Sequence, residues 1–131
     1  MARSNIIEYF LFASAGNATD FGDLTEPRGN ALCAVSDGIR ALIGGGADAS
    51  ANTAIIDRIV IASTGNATDF GDLTNARHGV GGCASNVYGV WAGGATQTNI
   101  IDYVTFTTAA NATDFGDLLE TKQGISGASG D

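Results

Sequence analysis

Apolar positions fall along this chain in short runs that recur. Ile6 to Phe12, Ile55 to Ala62 and Ile100 to Phe106 are mostly β-branched or aromatic, and each carries one carboxylate, Glu8, Asp57 or Asp102. Gly, Asn and Thr bound them on either side. Runs of this length and composition predict β-strands. They are apolar at successive positions, so they predict strands covered on both faces; a half-solvated sheet would alternate apolar with polar.

Each run leads into the same eight residues, Asn-Ala-Thr-Asp-Phe-Gly-Asp-Leu, at 17 to 24, 66 to 73 and 111 to 118. The copies start 49 and 45 residues apart, which makes the chain an array of one repeated unit. A basic residue follows each block, at Arg28, Arg77 and Lys122. Next come runs of small residues, Gly29 to Val35, Gly79 to Ser85 and Gly124 to Ser129, where backbones can approach closely. Turns at Ser36-Asp37-Gly38 and Ser85-Asn86 lead into Ile39 to Gly45 and Tyr88 to Gly94, both ending in a glycine doublet. Polar linkers, Ala47 to Thr53 and Ala95 to Thr98, return the chain to the next apolar run. A full unit therefore holds four strand slots: small-residue, Gly-Gly, Ile-Ile-Asp, and a short last strand around Phe-Gly-Asp-Leu.

Composition narrows the class. Of 131 residues, 44% are apolar and 15% charged, with 19 glycines and one proline, which describes an ordered, turn-rich, all-β chain forming a single repeat domain. A net charge of −8 with six basic residues argues against a nucleic-acid backbone or an anionic membrane surface as partner. Arg3, the run to Phe12 and Ala13-Ser14-Ala15 have the outline of a signal peptide, but the run recurs twice and is read as part of the repeat. No apolar stretch approaches the roughly 18 residues that span a bilayer. Cys33 and Cys83 are read as equivalent positions of successive units, too far apart for a disulfide, hence two free, buried thiols.

The order of basic residue, small strand, strand ending in Gly-Gly, acidic strand and aromatic-x-x-Leu resembles the kelch repeat. Phe21, Phe70 and Phe115 stand where kelch has tryptophan, and the tyrosine after the carboxylate is present at Tyr9 and Tyr103 but is Arg58 between them. The block is also similar to kelch-like repeats in structural proteins of marine bacteriophages. The resemblance implies an all-β, kelch-like β-propeller of four-stranded antiparallel blades: a partial blade 1–27, blades 28–76 and 77–121, and the first strand of a further blade, 122–131. These eleven slots are too few to close a ring of about four to eight blades. Closure by homo-oligomerisation is therefore expected, with a dimer favoured. The function implied is a non-catalytic binding or structural module of a phage virion or tail, outside a cell, whose partners are itself and a glycan or another virion protein. The alternative is a lectin-like propeller with one sugar site per blade.

Candidate chemistry is sparse. Asp20 with Asp23, Asp69 with Asp72 and Asp114 with Asp117 offer oxygen ligands for Ca²⁺; the other use of these residues is to satisfy their own turns, with Gly22, Gly71 and Gly116 supplying positive φ. No other cofactor is implied. Asn17, Asn66 and Asn111 each begin an N-glycosylation pattern, one accident multiplied by repetition. Asp23 with Arg28, Asp72 with Arg77 and Asp117 with Lys122 read as local ion pairs. His78 is the only histidine and no thiolate cluster accompanies it, so zinc has no support, and no nucleophile elbow marks an enzyme. Arg40, His78, Tyr88 and Trp91 are where the units differ, which makes them the tentative binding residues; Tyr88 and Trp91 could equally fill space between layers.

Overall fold

The computed structural model describes residues 3–95 and 98–129, and ten β-strands lie within them. Residues 96–97 of the second expected linker and 130–131 of the expected final strand lie outside the described residues. β1 (Ser4–Tyr9) pairs antiparallel with β2 (Thr19–Arg28) in a two-stranded first sheet. β3 (Cys33–Ser36), β4 (Arg40–Gly44), β5 (Ile55–Val60) and β6 (Thr68–Asp72) follow one another across a four-stranded middle sheet. β7 (Gly81–Ala84), β8 (Tyr88–Ala92), β9 (Ile100–Thr105) and β10 (Thr113–Asp117) repeat that order in a third. The turn at Ser36-Asp37-Gly38 closes the β3–β4 hairpin: Gly38 takes a φ of 85°, and Asp37 Oδ1 accepts the N–H groups of Ile39 and Arg40.

The sheets stack in chain order. Leu24 of the first packs with Ile43 and Ala67 of the middle unit, supported by Ile7, Leu32 and Ile59. Val35, Leu42, Ile56 and Phe70 of the middle sheet pack against Trp91, Val104 and Phe106 of the third. Burial of large apolar side chains stabilises each joint by about 1.5–3 kcal/mol per fully covered residue. Only the middle sheet is covered on both faces.

The kelch-like propeller is therefore corrected. The three sheets, of two, four and four strands, are open and unclosed, and their stack does not return on itself as a ring. The repeat pattern points to blades of a ring, but a ring depends on how much each sheet is rotated against its neighbour, and side-chain packing sets that. The eleventh slot, Gly124 to Ser129, forms no strand; it lies beside β7, with Gly124 N–H on Gly79 O (2.9 Å) and Ala84 N–H on Ser129 Oγ (2.7 Å). The phage propeller module and the lectin-like alternative with one site per blade both depend on the ring, and both fall with it.

Glycine in the repeated block marks how tightly the sheets meet. Gly22, Gly71 and Gly116 have nearly the same φ, 145°, 148° and 143°. A Cβ on Gly22 would collide with Gly65 O, and one on Gly71 with Ala110 O, both backbone atoms of the following unit. At Gly116 nothing lies within 4 Å. Backbone strain is thus common to all three, while the clash belongs to the two covered positions. Gly71→Ala is expected to destabilise the chain more than Gly116→Ala, by about 1–3 kcal/mol as in other overpacked sites. Urea unfolding of the two variants measures the difference; equal losses would mean that φ alone explains both glycines.

Candidate functional site

A carboxylate inside an apolar strand needs a partner, because a bare buried charge is too costly. Asp57 on β5 and Asp102 on β9 are fully buried, and so are the side chains of Arg28, at the end of β2, and Arg77, between β6 and β7. Arg28 Nη2 donates to Asp57 Oδ2 at 2.9 Å, and Arg77 Nη1 lies 2.9 Å from Asp102 Oδ2. Thr25 and Thr74 complete the pattern, each giving its backbone N–H and hydroxyl to the same carboxylates at 2.7–3.1 Å. Burial pushes the Arg28 guanidinium below its ordinary pKa, opposed by Asp57 and then Glu26. These pairs replace the local ones expected within each unit, Asp23 with Arg28 and Asp72 with Arg77: the arginines turn away from the nearby block and pin one sheet to the next.

The block's own polar residues also serve the joints. Asn66 Oδ1 caps Asp23 N–H at 3.0 Å and Asn111 Oδ1 caps Asp72 N–H at 3.1 Å, each across a sheet boundary. Asp20, Asp69 and Asp114 accept the N–H of Gly22, Gly71 and Gly116 at 2.9–3.1 Å, the turn-satisfying arrangement. Among the described residues no group of three or more Asp, Glu, His or Cys is placed to hold a metal ion.

The four tentative binding residues occupy separate places. Trp91 is fully buried between the middle and third sheets, its Nε1–H donating to Cys33 O at 3.0 Å. His78 Nδ1 meets Asn52 Oδ1 at 2.7 Å in a loop contact. Arg40 pairs with Asp37 at the β3–β4 turn. Tyr88 is exposed on β8, edge-to-face with Tyr103. The cysteines are free but half-buried, and they are not equivalent: Cys33 pairs with Gly44 in the ladder, whereas Cys83 pairs with Val90 and stands where Val35 stands in the middle sheet. Burial, then the neighbouring Cys83, pushes the Cys33 thiol pKa up, which makes it a poor nucleophile.

Asp37 gives the β3–β4 turn a pH dependence. Burial pushes its carboxyl pKa up, but the N–H groups of Arg40 and Ile39 and the Arg40 guanidinium outweigh this and hold it below the ordinary value. The resulting stabilisation is present above the unfolded value of about 3.9 and fades as pH falls through the lower folded value. Asp37→Asn is therefore expected to flatten the acid limb of a melting-temperature-against-pH curve; superimposable limbs would show that the turn does not contribute.

What remains without a role inside the fold is its two outer faces. Phe70 in the middle sheet is 3% exposed, while Phe115, the same block position in the third, is 69% exposed. Phe106 is 0% exposed, while Phe12, at the same distance before its block, is 97% exposed. Phe10 is exposed edge-to-face with Phe12, and Ile6 is exposed on β1. On the third sheet Phe115 joins Tyr88, Tyr103, Val90 and Cys83 around an apolar depression of about 640 Å³. Of the four tentative binding residues only Tyr88 lies on either face; comparing the same block position from unit to unit is what finds the others. No protein-family model matches this chain, and no curated protein matches it.

Proposed function

We propose that the chain is a non-catalytic module that works by associating with copies of itself through its two outer faces. The observation carrying this reading is the contrast between Phe115 and Phe70, identical residues at identical block positions, one bare on the third sheet and the other covered by it; Phe12 is likewise bare where Phe106 is covered, while Ile61 at that position of the middle unit is 44% exposed. Large contiguous apolar patches on a soluble protein mark interaction surfaces. The fully buried charged groups are used in the joints, where Arg28, Asp57, Arg77 and Asp102 neutralise one another. Sedimentation velocity across a concentration series tests the proposal. A mass above the 13.2 kDa of one chain, rising with concentration, is expected; a single monomeric species throughout the micromolar range would overturn it.

A further inference from the structure

We infer that copies join head to tail, the first sheet of one copy seating on the third sheet of another as each sheet within the chain seats on the one before it. This rests on the self-association proposed above. The third sheet carries three features that the two internal joints use, each without its counterpart, although exposed Leu119 stands where Thr25 and Thr74 give their hydroxyls to the aspartates. Gly22 and Gly71 lie under backbone carbonyls of the next unit, whereas Gly116 has open space where that carbonyl would be. Asp23 and Asp72 have their N–H groups capped by Asn66 and Asn111, whereas Asp117 N–H has no such cap among the described residues. Arg28 and Arg77 reach buried aspartates, whereas Lys122 meets exposed Glu120.

The first sheet carries the matching partners. Asn17 holds the block position of the capping asparagines. Gly16 stands at the position of Gly65 and Ala110, and a Cβ added to it would meet nothing within 4 Å. Glu8 pairs in register with Asp20 as Asp57 does with Asp69 and Asp102 with Asp114, so it is the third member of the carboxylate series, and it is exposed. The pair at the repeat positions of Asp57 and Arg28 is thus Glu8 and Lys122, which keeps their signs.

Width agrees at three of the four strand positions, the Gly-Gly position between them staying unfilled. Gly124 to Ser129 already lies on the third sheet beside β7, where a Cβ on Gly127 would collide with Gly82 O. The apolar depression over β7 to β10 stays open next to it. The first sheet is two strands wide, β1 and β2, and they hold the repeat positions of β5 with β6 and of β9 with β10. Seated over the depression, it would cover Phe115 as the third sheet covers Phe70. Such a joint is heterologous, so each one leaves a head and a tail free, and the assembly lengthens with concentration.

Blocking one face at a time tests this. Phe12→Asp blocks the head and Phe115→Asp the tail; both side chains are exposed, and circular dichroism checks that each variant folds. Each variant alone is expected to associate at least about tenfold more weakly than the unaltered chain, as loss of a central aromatic contact does. Mixed in equal amounts, they are expected to form one discrete dimer, since an intact tail then meets an intact head. The charge pair gives a second reading: Glu8→Lys and Lys122→Glu are each expected to weaken association, and their mixture to recover it. A mixture that stays monomeric while the unaltered chain associates overturns the head-to-tail mode and leaves self-association standing. Strong dimers of either blocked variant alone would also overturn it, because they would mean like faces pair. An unaltered chain that stays monomeric removes the underlying reading instead.

Discussion

Asp102→Ala is expected to destabilise the chain by about 3–5 kcal/mol, the usual result of leaving one partner of a buried ion pair without the other. Arg77 would be stranded between the middle and third sheets with no exposed surface, and its Nε and Nη2 already lack hydrogen-bond partners there. Thr74 would lose the acceptor for both its N–H and its hydroxyl. The double variant Arg77→Met with Asp102→Leu removes both charges, so it is expected to recover most of the loss, because the desolvation cost of two ions is removed with their attraction. Urea denaturation of the three chains measures this. A single variant no worse than the double would show that water reaches the pair and the joint is not sealed.

Trp91→Ala is expected to cost a similar amount, about 3–5 kcal/mol, through the cavity it opens between the same two sheets. The indole fills the space that Gly44 vacates, since a Cβ there would lie 2.9 Å from the ring. Trp91→Phe keeps most of the volume but leaves Cys33 O without its donor, at a cost of about 1–3 kcal/mol. Against a typical total of about 5–15 kcal/mol, the alanine variant removes a large fraction of the fold's stability. Thermal melts followed by far-ultraviolet dichroism, which does not depend on the indole, rank the two. Equal losses would place the contribution in the hydrogen bond rather than in packing.

Much of the architecture can be read along the chain because repetition makes it redundant. The turn at Ser36-Asp37-Gly38 closes a hairpin as its residues require, and the Ile55 and Ile100 runs become β5 and β9. The first run is shorter than its pattern suggests: β1 ends at Tyr9, and Phe10 to Phe12 lie beyond it, bare to solvent. Sequence and structure part where residues are interchangeable or partners are remote. Runs of small residues slide against one another almost without penalty, which is why Cys83 aligns with Cys33 along the chain although the ladder sets it opposite Val90, as Val35 is set opposite Leu42. The ion pairs differ from expectation because the aspartate of the adjoining block, Asp23 for Arg28, is not the one that meets it in space.

The candidate faces are legible only in part. Exposure of Phe115 and burial of Phe70 cannot be told from eight identical residues; they differ solely in whether another sheet follows.

By itself, the sequence determined the repeating unit, its four strand slots, the all-β class and the acidic surface, because these follow from local periodicity, turn chemistry and charge. Only the tertiary structure decided that the sheets stack openly, that Arg28 and Arg77 cross from one unit to the next, and that the outermost sheets are left with bare apolar faces. Those features arise from the rotation and contact between neighbouring sheets, which depend on side chains far apart in the chain meeting in space.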